Sequence, residues 1–281
     1  MRLTFLGTGS AMPTGDRFQT GLLLTDGDDT LLVDCGSGVI HALQHTPVGY
    51  EGVDTVLLTH HHLDHVSDLL PLMKARWLAG ETSLTVVGPE GTPELVRDLL
   101  DVHEYMQDRL DLTLREIEPT DGEGDPHHVG GFDVHAMETR HSMPCLAYRL
   151  TPGGGDGPGA GGEGSPSDSD GTVAAGDRPT VTYSGDSEAF PELVAFADGS
   201  AILAHDCSFP DSVEVSNHPT PSSLGEALAA ADVDLGRVYL THLYPHTEGH
   251  HEEMLASIGD HYDGEVRFAR DGLSLDLTDV A

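Results

Sequence analysis

Thr59-His60-His61-His62-Leu63-Asp64-His65 sets imidazoles at His60, His62 and His65 and a carboxylate at Asp64 within one short stretch. Imidazole nitrogen and carboxylate oxygen are the donors of zinc-type sites, and a catalytic site keeps one coordination position open for water. The stretch offers more donors than a single ion needs, so two metals are expected. Two such ions activate water near neutral pH and clamp both oxygens of an in-line displacement. The plainer reading is a solvated His-rich loop, in a chain that carries 18 histidines. Asp64 and a set of distant partners weigh against it.

Those donors must be held by rigid elements. Val56-Leu57-Leu58 reads as a buried strand that ends at the motif. The pattern recurs in Val238-Tyr239-Leu240-Thr241-His242, again an apolar run ending in histidine, and Val181-Thr182-Tyr183-Ser184-Gly185 ends in Asp186. His141, in Arg140-His141-Ser142-Met143-Pro144, stands just before a further apolar stretch. Side chains at strand ends enter loops anchored on a scaffold, so these four segments can converge on one site.

The order His-x-His-x-Asp-His, then His, Asp and His resembles that of the metallo-β-lactamase-fold hydrolases, most closely their ribonuclease Z-like phosphodiesterase branch. The resemblance spans nearly the whole chain. It implies an α/β fold, a four-layer αββα sandwich with a dinuclear site at one edge of two sheets. His60, His62 and His141 would hold the first metal, Asp64, His65 and His242 the second, and Asp186 would bridge them. A nitrogen-rich shell suits zinc, with manganese or iron as alternatives.

Further motifs agree with the same branch. Leu6-Gly7-Thr8-Gly9 resembles its N-terminal loop; a dinucleotide-fold reading of this Gly-x-Gly fails because Ala11-Met12-Pro13-Thr14-Gly15 is not helical. Asp34, in Val33-Asp34-Cys35-Gly36, has a family counterpart that braces the His60 loop. His205-Asp206-Cys207-Ser208-Phe209 and Asn217-His218-Pro219-Thr220 resemble two family motifs, with Asp206 where glutamate is usual. The resemblance implies hydrolysis of a small phosphodiester or RNA by a hydroxide shared between the metals. Asp64 would orient that hydroxide, and His218, paired with Asp206, would protonate the leaving alcohol or stabilise the transition state. Lactone, thioester or sulfate-ester hydrolysis is the alternative on the same metals. A non-catalytic metal scaffold is disfavoured by the complete ligand set.

Composition sets the context. The 281 residues suffice for one α/β domain, and 48 acidic against 13 basic residues give a net charge of -35. Disorder is excluded by 38% hydrophobic content and clear strand patterning. The expectation is an acid-rich surface adapted to high salt and unstable in dilute buffer. So negative a surface lacks the usual electrostatic footprint for nucleic acid. No stretch reaches the length of a membrane span, Met1-Arg2-Leu3 runs straight into a strand, and Cys35, Cys145 and Cys207 read as reduced thiols; a cytoplasmic protein is expected.

The remaining chain is read by periodicity. Asp26-Gly27-Asp28-Asp29 turns a hairpin, Val66, Leu69, Leu70, Met73 and Trp77 mark a core-facing helix, and Thr92 to Met106 reads as another. Glu265 to Phe268 and Leu273 to Leu277 are expected to close the second sheet. Thr151 to Asp177 is rich in Gly and Asp and is read as a flexible insertion, at about 152–177, within a single domain of residues 1–281. Ribonuclease Z enzymes carry a basic tRNA-gripping arm there, so its absence would put tRNA processing in doubt. Relatives are often dimers, which makes a homodimer possible.

Overall fold

The computed structural model describes residues 1–120, 124–154, 178–213 and 215–277. Strands β1 (Arg2–Gly7), β2 (Gly21–Asp26), β3 (Asp29–Val33), β4 (Thr55–Leu57), β5 (Ser83–Gly88) and β6 (Asp111–Glu116) build most of a first sheet. A second contains β7 (His127–Val129), β8 (Phe132–Glu138), β9 (Leu146–Pro152), β10 (Val181–Tyr183), β11 (Ile202–Asp206), β12 (Arg237–Thr241) and β13 (Glu265–Phe268). The last strand, β14 (Ser274–Asp276), returns to the first sheet, whose order is β14-β1-β2-β3-β4-β5-β6.

These strands are apolar on both faces because both faces are covered. In β2, Leu22 and Leu24 point into the space between the sheets, where they meet Tyr148, Val181 and Tyr239 of the second sheet's inner face. Leu23 points the other way, into a cluster under the helices α1 (Val39–Leu43), α2 (Leu63–Val66), α3 (Leu69–Ala79) and α4 (Thr92–Val102). The second sheet is covered likewise: Leu203, Val238 and Leu240 pack against α5 (Pro191–Phe196), α6 (Pro221–Ala230) and α7 (His251–Gly259). Four layers result, the expected αββα sandwich, because a sheet buried on both faces cannot alternate polar and apolar residues.

Both sheets are parallel where they approach the His-rich motif. β3, β4, β5 and β6 run parallel, as do β10, β11, β12 and β13. Their carboxyl ends therefore open at the same side, the position where open α/β sheets carry their ligands.

Four expectations need correction. The final strand does not close the second sheet: β14 pairs antiparallel with β1, Arg2 opposite Asp276 and Leu3 opposite Leu275. The crossing is made just before it, where Ala269 donates to the Leu240 carbonyl of one sheet and Gly272 to the Phe5 carbonyl of the other. The helix after the motif is interrupted at Ser67 and Asp68, which changes the helical phase of the residues beyond them. Leu69, Leu72, Met73 and Arg76 are buried on α3, whereas Leu70 and Trp77 are half-buried. Thr151 and Pro152 belong to β9 rather than to an insertion, since they pair with Asp133 and Phe132. Most of the expected insertion, 155–177, lies outside the described residues. The helix expected to reach Met106 ends at Val102 and passes into a 3-10 turn at Glu104–Met106.

Candidate metal centre

Each candidate ligand sits just beyond a strand end. β4 leads through Leu58 and Thr59 to His60, and the chain turns at His62 into α2, which carries Asp64 and His65 inward. The loop between β8 and β9 brings His141. β10 ends at Tyr183, and Gly185, at φ 57°, turns the backbone so that Asp186 enters the site. A Cβ at Gly185 would lie 3.0 Å from the Leu146 carbonyl oxygen and 3.1 Å from Cys145 Sγ, in a conformation that side chains disfavour. β12 delivers His242, itself at φ 57°.

The side chains converge as two adjoining groups. His62 Nδ1 lies 3.0 Å from His60 Nε2 and 3.1 Å from His141 Nε2. Asp186 Oδ2 stands 3.7 Å from His60 Nε2 and 3.9 Å from His141 Nε2. On its other side Asp186 Oδ1 is 3.2 Å from His65 Nε2, and Oδ2 is 3.3 Å from His242 Nε2. Asp64 Oδ2 completes the second group, 3.1 Å from His242 Nε2 and 3.7 Å from His65 Nε2. Four donors in the first group and three in the second each fall within 4.8 Å of one another.

The opposite ring nitrogens show that this convergence is built. His65 Nδ1–H donates to Asp34 Oδ2 at 2.8 Å. His60 Nδ1 lies 3.0 Å from Thr59 Oγ1, which in turn donates to Asp34 Oδ2 at 2.8 Å. Asp34 also accepts the Thr59 amide at 2.8 Å, so one buried carboxylate fixes the loop and orients two imidazoles. His242 Nδ1 is 2.9 Å from Ser208 Oγ, and Ser208 donates to Asp206 Oδ1 at 2.5 Å. Nδ1 of His141 faces the Asn217 carbonyl at 3.3 Å. With Nδ1 engaged in this way, Nε2 of four histidines is left to face the centre.

These donors fit divalent metals. Tetrahedral ligands about 2.0–2.1 Å from zinc lie about 3.3 Å apart, close to the separations observed. His65 Nε2 and Asp186 Oδ1 are buried and lack a hydrogen-bond partner despite their proximity, an arrangement that costs free energy unless a cation sits between them. Charge points the same way. Burial opposes charge on His65, yet Asp186 and Asp34 push its pKa up to about 10. Burial likewise opposes charge on His242, and Asp186, Asp206 and Asp64 hold its pKa well above the ordinary value. The carboxylates thus draw protons onto imidazoles that a metal would deprotonate on binding. His60, by contrast, is held well below its usual value by burial and by neighbouring His65, the neutral form a ligand requires.

Beside the metal groups lies a third constellation. His218 Nδ1 is 2.7 Å from Asp206 Oδ2, and the His218 ring stacks on that of His242 with centroids 5.4 Å apart. Although burial would raise it, His218 and His242 bring the Asp206 carboxyl down to about 2. Burial lowers the His218 pKa, and Asp206 more than reverses this, so the imidazole holds its proton more strongly than usual. His218, Asp64, His141 and Asp186 share the wall of an open cavity of about 340 Å³.

Residues 1–256 match the model of a family described as Anti-Pycsar protein Apyc1. The chain belongs to that family. Ribonuclease Z of Methanopyrus kandleri is 35% identical over 259 residues, which cover 86% of each chain. Ribonuclease Z of Haloferax volcanii is 30% identical over 306 aligned positions, covering 99% of this chain and 95% of the relative. The metallo-β-lactamase-fold protein YhfI of Bacillus subtilis superposes with a TM-score of 0.74 over 98% of this chain and 99% of its own, at 24% identity, which shows the shared fold. This Apyc1-family chain is therefore a metal-dependent hydrolase of the metallo-β-lactamase fold.

All seven ligand candidates read from the sequence meet here, together with His218 and Asp206. The bracing role expected of Asp34 matches its bonds to Thr59 and His65. His127, His128 and His135 lie away from the site, on β7 and β8. Sequence reasoning misses Thr59 and Ser208, each of which relays a carboxylate to a ligand. Asp34→Ala is expected to weaken metal affinity about 10–100-fold, measured by competition with a chromophoric chelator. Unchanged affinity would mean that packing alone orients His65.

Proposed function

We propose that this hydrolase cleaves phosphodiesters at two divalent ions, most plainly zinc. In this reading His60, His62 and His141 hold one ion, Asp64, His65 and His242 the other, and Asp186 is shared. The observation that carries it is the His218–Asp206 pair, a proton-retaining imidazole set against the rim of the metal groups. An ester whose leaving group departs as an alkoxide calls for such a donor. The two relatives named ribonuclease Z support the same class.

The ions supply activation of water near neutral pH and polarisation of a phosphoryl oxygen. The chain's own residues do the rest. Asp64 lines the cavity and orients the attacking water. Asp186 and the five ligand histidines set the spacing of the two groups. His218, held by Asp206 through Nδ1, presents Nε2 to the departing oxygen and gives it a proton. Asp34 and Ser208 keep His65 and His242 in register throughout.

Three buried, unpaired thiols, Cys35, Cys145 and Cys207, support a reducing and hence cytoplasmic setting. Among the described residues no helix is long and apolar enough to cross a membrane. The acid-rich surface supports a salt-rich one. The test of function is a substrate panel at high salt with zinc or manganese: bis(p-nitrophenyl) phosphate, a 3′-extended tRNA precursor, and a set of lactones, thioesters and sulfate esters. Cleavage of a phosphodiester is expected; turnover confined to the acyl or sulfate esters would sink the proposal.

A further inference from the structure

Next to the catalytic cavity, and separated from it by Tyr244, lies a second cavity of about 350 Å³. Tyr244 lines both. The second cavity collects two guanidinium groups, Arg17 and Arg270, in a chain with only 13 basic residues. Such a pairing on a surface of net charge -35 needs a reason.

Their states differ in an informative way. Arg17 is half-buried; its Nη1 donates to Thr8 Oγ1 at 2.5 Å and to the Ala269 carbonyl at 2.8 Å, which fixes the guanidinium and leaves Nη2 and Nε. Arg270 is exposed, and its guanidinium makes no hydrogen bond or ion pair among the described residues. Three carboxylates also line the cavity, Asp16, Glu248 and Asp271. Asp271 is already engaged: Oδ1 accepts the Thr8 amide at 3.0 Å and hydroxyl at 2.6 Å, and Oδ2 accepts the Phe18 amide at 2.6 Å. Asp16 and Glu248 are exposed at the rim.

A further feature points to an acceptor-rich ligand. His251 lines the cavity at the first residue of α7, whose N-terminus carries no side-chain cap. Its Nε2 is shut off from solvent and its ring packs on Phe268 with centroids 4.2 Å apart, so the imidazole shapes the cavity wall rather than meeting a ligand. A fixed guanidinium, a free guanidinium and the uncapped start of α7, whose first turn also carries Glu252 and Glu253, together offer donors to an oxyanion.

We propose that this second cavity is an anion subsite that binds a further phosphate of the substrate, so that the preferred substrate is a phosphodiester bearing a second phosphate group. The inference rests on the phosphodiester reading above. It gives Tyr244 the role of a partition between the scissile phosphate and the non-reacting one. Arg270 supplies binding, not chemistry. Substrate length and phosphorylation state, rather than base identity, would then govern selection.

The experiment compares two chromogenic probes at one fixed salt concentration: the p-nitrophenyl ester of thymidine 3′-phosphate with and without a 5′-phosphate. The metal-loaded full chain should prefer the 5′-phosphorylated probe by about tenfold or more in kcat/KM, the effect of one charge-assisted contact pair. In Arg270→Gln that preference should fall to near one. A second arm uses no turnover: inorganic phosphate should raise the melting midpoint of metal-stripped protein, and should do so less in Arg270→Gln. Equal turnover of the two probes by the wild-type protein overturns the subsite and leaves the phosphodiester reading standing. A preference that survives Arg270→Gln overturns the assignment to this cavity. Turnover of neither probe, with Arg270-dependent stabilisation by phosphate, supports the subsite and removes the phosphodiester reading.

Discussion

Replacing Asp186 by Ala is expected to abolish loading of both metals and to lower turnover by roughly 10³-fold or more, since its carboxylate faces donors of both groups. Oδ1 of Asp186 faces His65, and Oδ2 faces His60, His141 and His242. The residue is 2% exposed, enclosed by the imidazoles it orders. Burial alone would raise its pKa, but His242, His65 and His60 hold it well below the ordinary range, and it stays ionised. Removing that charge leaves several imidazoles facing one another with nothing to order them. Asp186→Asn separates shape from charge: it keeps the volume and should still lose metal. Elemental analysis after dialysis reads the loading directly. A variant that keeps both metals and more than a tenth of its activity would refute the shared-ligand assignment.

His218→Ala should behave in the opposite way, keeping its metal while losing about 10²–10⁴ in turnover. The imidazole stacks on His242 but donates Nδ1–H to Asp206, so it is anchored outside the ligand set proposed here. Its loss removes a proton donor and leaves the metal groups intact. Esters with good leaving groups offer a second reading, because nitrophenolate departs without protonation. The defect should therefore shrink on p-nitrophenyl esters and be large on alkyl phosphodiesters. Equal turnover of wild type and variant on an alkyl diester would remove His218 from the chemistry. Lost metal would instead place it among the ligands.

The ligands are legible in the sequence because metal donors are few in type and because each adjoins an apolar run. Asp34 is legible only through family resemblance. Thr59 and Ser208 are not, since a hydroxyl relaying a carboxylate to an imidazole leaves no spacing signature; it depends on where Asp34 and Asp206 arrive in space. The four-layer architecture agrees with strands apolar on both faces. Sheet membership of β14 is not legible, because its short alternating run fits either sheet, and only pairing with Arg2 and Leu3 decides. On α3 the break at Ser67 and Asp68 shifts the buried face by a fraction of a turn, so Leu72 and Arg76 are buried while Leu70 and Trp77 pack at the edge of the same cluster. Arg17 and Arg270 lie at opposite ends of the chain, and nothing local announces that Tyr244 and His251 line the same cavity.

The most direct test is to strip the protein of metal and follow bis(p-nitrophenyl) phosphate hydrolysis while zinc or manganese is added back. The rate should climb and level off at two equivalents per chain, as two adjoining donor groups sharing Asp186 require. A plateau at one equivalent, or no hydrolysis with two ions bound, would contradict a two-metal phosphodiesterase.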